Sequence, residues 1–316
     1  MNNNNVSNPP RAATFAQKFL LVTEKCAKKF VGFFGLGNSE VTVTLSKIKG
    51  RLKKSIRPAA LEGIDICVAE HCNMACYSCN HFSQLAEPVF ADLAETERDL
   101  KRLSELSGGN IQSIMLVGGE PLLNPELPEF MRVARQYFPG SRIQIITNGL
   151  LLLAQKDVFW ESAKKYNIVM TPTKYPGINW EKIEERADTF GYKFDYFGFT
   201  ENSEKVSRKF CLDLTGSQNI KKSFMRCPLA FCTVGLDKGR LATCSFVFSM
   251  KHFNRYFNQN VPVTEADSID IYKAKDMQEI IDFLNSPIPL CRFCKSMGTE
   301  IVGEWRKSEK TIDEWT

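Results

Sequence analysis

Read for the spacing of its apolar and polar positions, the chain falls into three stretches. After an asparagine-rich start ending in Pro9-Pro10, which reads as disordered, apolar residues (Phe15, Phe19, Leu20, Val22, Cys26, Phe30, Phe33 and Phe34) recur at helical spacing between lysines. From about residue 60 short apolar runs alternate with helical patterns. "GIDICVAE" predicts a strand with Ile64, Ile66 and Val68 on one face. A helix follows through Leu93, Leu100, Leu103 and Leu106, stopped by Gly108-Gly109. "SIMLVGGEP" is the second predicted strand, and Leu127, Phe130, Met131, Ala134, Tyr137 and Phe138 mark the next helix, ended by Pro139-Gly140. "RIQIITNG", "NIVMTPT" and "YKFDYFGF" predict the third to fifth strands, with a helix around residues 180–190 between the last two. Strands alternating with helices at this spacing imply a parallel sheet, open or closed into a barrel, with reactive loops beyond the carboxyl ends of the strands.

After about residue 210 the alternation stops. "FCTVGLDKGRLATCS" predicts a hairpin turning at residues 237–240, followed by a helix near 277–284 and a proline-flanked "PIPLCRFCKSMG". The predicted organisation is a leader over 1–58, a core over 59–210 and a smaller domain over 211–316.

Charge sharpens this division. The net charge of +5 is too small to argue for nucleic acid, but the leader alone is +9 and the remainder −4. A basic amphipathic helix in the leader allows peripheral contact with an anionic membrane surface, or simply packing on the main domain with its lysines solvated. No segment reaches the roughly 18 apolar residues of a membrane span, and the leader lacks the uncharged core of a secretory signal, so a cytoplasmic, reducing location is expected.

Eleven cysteines is a high count, and most fall in two groups, which points to metal or cluster ligation over scattered disulfides. Cys72, Cys76 and Cys79 share one loop after the first strand, spaced C-x3-C-x2-C. Three thiolates can hold three corners of an iron–sulfur cube and leave one iron open. A zinc site completed by His71 or His81 is the competing reading, although zinc pairs usually come as CxxC with a second pair elsewhere. Gly118-Gly119-Glu120-Pro121 ends the second strand and Thr147-Asn148-Gly149 the third.

Together these motifs resemble the radical S-adenosylmethionine (SAM) enzymes, over residues 60 to about 200. The resemblance implies a partial (βα)6 TIM-type barrel, a [4Fe–4S] cluster on Cys72, Cys76 and Cys79, and SAM at the open iron. Glu120, with Gly118, Gly119 and Pro121, would hold the methionyl end of SAM, Tyr77 would lie beside the adenine, and Asn148 would belong to the same site. The family's chemistry is reductive cleavage of SAM to a 5′-deoxyadenosyl radical that abstracts hydrogen. A flavodoxin or ferredoxin-type reductant would be the electron-donating partner.

Cys227, Cys244, Cys291 and Cys294 form the second group, with four residues between Gly239 and Cys244. This resembles the truncated SPASM ("twitch") appendage of the same enzymes, a small C-terminal α+β domain in which four thiolates close one auxiliary [4Fe–4S] cluster. A structural zinc on these thiolates is the alternative. Cys232 or Cys211 could instead ligate or lie near substrate, while Cys26 and Cys67 read as small hydrophobes. Family members with such an appendage include dehydrogenases and dehydratases of amino-sugar or cyclitol alcohols, so the resemblance implies an oxidoreductase acting on a small hydroxylated molecule. Peptide maturation and non-catalytic electron carriage are the other readings. Lys174, Tyr175, Arg226 and Arg240 lie near predicted loops and read as surface or packing residues.

Overall fold

In a computed structural model the described residues are 61–196, 206–227, 229, 230 and 234–316, without the side chains of 296–299. The leader helix and Cys232 lie outside them. The first four predicted strands form where the alternation placed them: β1 (Gly63–Ala69), β2 (Ser113–Gly118), β3 (Arg142–Thr147) and β4 (Ile168–Pro172). They are joined by α1 (Leu93–Ser107), α2 (Leu127–Tyr137) and α3 (Asp157–Lys165), and α4 (Trp180–Asp188) follows β4. In α1, Asp92 accepts the Glu95 N–H at 2.7 Å, and Gly108 takes the left-handed conformation that ends the helix.

The sheet is open, with strand order β4-β3-β2-β1-β6-β7-β8, and β1 to β4 are mutually parallel. The hairpin of β6 (Gly235–Asp237) and β7 (Arg240–Ala242) turns as expected, but β6 pairs in parallel with β1. It therefore extends the core sheet, and the short β8 (Ile269–Asp270) adds an antiparallel edge. The expected α/β architecture of a parallel sheet with connecting helices is formed, and the sheet does not close into a barrel among the described residues. The predicted fifth strand is absent from residues 192–196, which make a loop touching β4 through one backbone bond, Asp195 N–H to Met170 O. Its aromatic alternation serves ring packing instead: Phe194 meets Tyr196, and Tyr196 meets Trp180.

The strand faces have different jobs. Ile64, Ile66, Val68, Ile114, Leu116, Ile143, Ile145, Ile168 and Met170 pack under the helices as one core. Their alternates Cys67, Met115, Val117, Gln144, Ile146 and Val169 stay half-buried on the opposite face. A second core is built from Phe82, Phe246, Phe253 and Trp315. It joins the exit of the cysteine loop, helix α6 (Phe246–Phe257) and residues 305–316. A separate two-stranded antiparallel sheet pairs β5 (Val206–Leu212) with β9 (Cys294–Glu304). Helices α5 (Ile220–Arg226) and α7 (Met277–Leu284) complete the elements used below. No helix of the described residues is long and apolar enough to cross a membrane.

Candidate functional site

The cysteine loop leaves the carboxyl end of β1 and is gripped from both sides. On one side lie the ends of β2 and β3. Gly119 N–H donates to Ala69 O at 2.7 Å and Glu120 N–H to His71 O at 3.0 Å, continuing the β1–β2 ladder into the loop. A Cβ on Gly118 would stand 2.2 Å from Ala69 O, and one on Gly119 2.2 Å from His71 O. Only glycine lets these backbones touch. Here the two glycines admit the loop itself.

Glu120 is fully buried, and its carboxylate is occupied. Oε1 accepts from Thr147 Oγ1 at 2.6 Å and Leu122 N–H at 3.0 Å, and Oε2 accepts Asn148 N–H at 2.8 Å. Burial pushes its pKa up to about 7 despite these three bonds, which favour the ionised form. Glu120 thus ties the β2 loop to the end of β3. Asn148 carries that tie to the cysteines: its Nδ2 donates to Asn73 Oδ1 at 2.8 Å and lies 3.6 Å from Cys72 Sγ.

On the other side lies a segment with no signal in the sequence. Residues 305–308 run antiparallel to the loop, with Tyr77 N–H donating to Arg306 O at 3.1 Å and Ser308 N–H to Ala75 O at 2.8 Å. Trp305 Nε1 donates to Cys76 Sγ at 3.3 Å, and the Tyr175 hydroxyl sits 3.5 Å from the same sulfur. The rings of Tyr175 and Trp305 meet edge to face at 5.6 Å. Tyr175, read from sequence as a packing residue, is therefore part of the site, whereas Lys174 pairs with Glu184 and Arg240 with Ser268 and Glu265. The Arg306 guanidinium covers the Tyr77 ring at 3.9 Å. Trp315 Nε1 donates to Cys79 O at 3.0 Å, and Ser78 and Phe82 hold left-handed backbone at φ 49. Phe82 keeps that disfavoured conformation because its ring is locked among Phe246, Phe253 and Trp315.

The three loop thiols influence one another electrostatically. Burial pushes Cys72 up to about 12 and also raises Cys79, with Cys76 adding to both. Burial, and then Cys76, Cys79 and Cys72, raises Tyr175 well above its ordinary value. Such thiols stay protonated unless a strong positive charge stands among them, which is what a metal cluster provides.

Four thiols gather separately. Cys227 caps α5, Cys244 follows β7, and Cys291 and Cys294 lie on and after a 3-10 turn, Pro289–Phe293. Cys244 is raised by burial and then by Cys294, Cys227 and Cys291, and Cys294 by burial and then by Cys227 and Cys291. Ser223 Oγ donates to Cys294 O at 2.8 Å, fixing α5 against the turn. The charges acting on Cys211 are Glu300, Lys209 and Lys295, and the four thiols are not among them. No group of three or more Cys, His, Asp or Glu among the described residues is arranged to hold a single metal ion. A tetrahedral zinc would draw its thiolates to about 3.8 Å apart, and a four-iron cube spreads them wider.

At the foot of the loop is a cavity of about 200 Å³ between β1, β6, α6 and the start of α1. Cys67 and Glu70, before the loop, and His81, after it, all line it.

Comparison with known proteins agrees with this geometry. Residues 66–173 match the family model described as "Radical SAM superfamily". GTP 3′,8-cyclase of Chlorobaculum tepidum is 33% identical over 99 residues, 31% of this chain and 29% of that protein. Fe-coproporphyrin III synthase of Methanosarcina barkeri is 30% identical over 123 residues, 39% of this chain and 28% of that protein. The chain thus spans less than a third of the curated relatives it matches. A crystal structure of BtrN in complex with AdoMet and 2-DOIA overlays with a TM-score of 0.48 at 19% identity, covering 74% of this chain and 93% of BtrN. The family works with a [4Fe–4S] cluster and S-adenosylmethionine. The cysteine loop and the strands that grip it lie within residues 66–173, the stretch that matches the radical SAM model.

Proposed function

We propose that the chain is an oxidoreductase that abstracts hydrogen from a small hydroxylated molecule of the sugar or cyclitol kind, using one open and one closed iron–sulfur cluster. The observation that carries this reading is the presence of two separate thiol groups, three on the loop and four drawn from α5, the β7 end and the 3-10 turn. Cys72, Cys76 and Cys79 would hold the cluster that binds SAM, and Cys227, Cys244, Cys291 and Cys294 an auxiliary one. When bound, these groups supply the 5′-deoxyadenosyl radical and a one-electron acceptor.

The chain's own part is to position and to exclude water. Asn148 and Glu120 hold the loop against β3, while Trp305 directs its N–H at the Cys76 sulfur and the Tyr175 hydroxyl accepts from the Cys76 thiol. Hydrogen bonds to a ligating sulfur stabilise the more negative state and tune the potential. A flavodoxin or ferredoxin-type protein would supply electrons.

The test is the stoichiometry of SAM consumed and 5′-deoxyadenosine formed per substrate turned over, on a panel of sugars, cyclitols and peptides with a chemical reductant. Turnover of a polyol supports the reading, and turnover of peptides alone overturns it.

A further inference from the structure

Exposed charge is unevenly placed on the folded chain. Beyond the leader the net charge is −4, yet cations gather on the elements that carry Cys227, Cys291 and Cys294. Lys221, Lys222 and Arg226 stand exposed on α5, which Cys227 caps, while Ser223 and Phe224 face inward. Arg292 lies exposed between Cys291 and Cys294, and exposed Lys295 follows Cys294 directly. Two hydrogen bonds knit these elements into one surface. Gln218 N–H, just ahead of α5, donates to Arg292 O at 3.1 Å, and Ser223 Oγ donates to Cys294 O at 2.8 Å. Lys209 of β5 joins them, since it and Lys295 both act on the Cys211 thiol.

The same segments, 209–227 and 289–300, hold two acids. Asp213 is turned onto Thr215, Ser217 and Gln218, and Glu300 stands opposite Lys209 in the β5–β9 register. None of the six cations makes an ion pair among the described residues. The clamp over the cysteine loop differs, because exposed Arg306, Lys307 and Lys310 are interspersed with exposed Glu304, Glu309 and Asp313. Only the surface of the dispersed thiols therefore presents a field of one sign, which repels itself and attracts an acidic partner.

Resting on the reading of those four thiols as an auxiliary cluster, we propose that this surface docks an acidic one-electron carrier protein of the flavodoxin or ferredoxin type. One electron leaves the auxiliary cluster at each encounter and reduces the centre of the oxidised carrier, which restores the cluster for the next turnover. The placement suits this exchange, since the cations flank three of the four thiols, all half-buried. Charge complementarity speeds the encounter and leaves it weak enough to dissociate.

The experiment titrates anaerobically reconstituted full-length protein with oxidised flavodoxin at low salt and again at about 0.15 M salt, where binding should weaken. Lys221→Glu combined with Lys222→Glu reverses two exposed charges in the first turn of α5, where acids suit the helix. The double variant should bind flavodoxin about tenfold more weakly and, when pre-reduced, reduce it more slowly by a similar factor. Its iron content and its oxidation by a small neutral oxidant should not change, and Lys101→Glu on α1 should alter neither binding nor rate. Unchanged affinity in the double variant, as when the basic leader carries the binding, would overturn the proposal. Tighter binding of duplex DNA than of flavodoxin would overturn it too. If the lysines carry binding but the protein holds about four iron atoms with zinc, the auxiliary-cluster reading fails and the electron exit with it. About eight iron atoms, with binding indifferent to the lysines, breaks the docking proposal alone.

Discussion

The two thiol groups are built in opposite ways. Cys72, Cys76 and Cys79 sit within eight residues, and their spacing alone brings them together. Cys227, Cys244, Cys291 and Cys294 span 68 positions and meet only because α5, the β6–β7 hairpin and the 3-10 turn converge. The local group needs the fold for its orientation, which residues 305–315 and the ends of β2 and β3 supply. The dispersed group needs the fold for its existence. A local loop can leave one corner open for a ligand without falling apart, whereas a dispersed set is secured by completing all four corners. That contrast suits an open cluster for chemistry and a closed one for electrons.

The largest expected effect is on the loop. Cys76→Ala should reduce 5′-deoxyadenosine formation to background, read by chromatography of reductant-driven reactions. Cys291→Ala should instead cost about four of about eight iron atoms per chain while leaving uncoupled SAM cleavage measurable. Equal loss of SAM cleavage in both variants would erase the functional contrast between the groups.

Next is the clamp. Trp315→Ala empties a fully buried site under the loop and should destabilise the protein by about 3–5 kcal/mol in denaturant titrations, by lost burial and cavity formation. Iron should be lost from the loop site before the other group. Smaller again, Trp305→Phe keeps the ring and removes the N–H aimed at Cys76, so the midpoint potential of the SAM-binding cluster should fall in an EPR-monitored redox titration while the auxiliary midpoint stays fixed.

The smallest effect is pH-dependent. Because the folded-state pKa of Asp65 is raised to about 7 from an ordinary value of 3.8, its contribution to stability is present below about pH 4 and lost as pH rises through about 7. Asp65→Asn should flatten the fall in unfolding free energy between pH 5 and pH 8 by an amount on the order of 2 kcal/mol, measured without ligand.

Much of this was legible in the chain. The strands β1 to β4 announce themselves because their core-facing positions repeat every second residue, and the loop cysteines because their spacing is local. Three features were not. The segment at 305–316 has no periodicity of its own, and its partners in the cysteine loop lie more than 220 positions away. Helix α6, "FVFSMKHFNRYF", buries Phe246, Val247, Met250 and Phe253 together with the polar Ser249 and His252, and these two interrupt the apolar repeat that would announce it. Asp65 reads as the solvent side of an alternating strand, "GIDIC". The usable signal was that a strand of a parallel sheet is covered on both faces, where a carboxylate needs a reason. The "YKFDYFGF" alternation shows the converse, a strand pattern whose aromatic rings pack together in a loop over the described residues.

The central claim is that one chain holds an open cluster on the loop and a closed one on the dispersed thiols. EPR spectra of the reduced, fully reconstituted protein with and without SAM test it most directly, alongside iron and sulfide analysis. The account predicts about eight iron atoms per chain and two [4Fe–4S] signals, of which one shifts on adding SAM and the other does not. About four iron atoms with bound zinc, or two signals both indifferent to SAM, would contradict it.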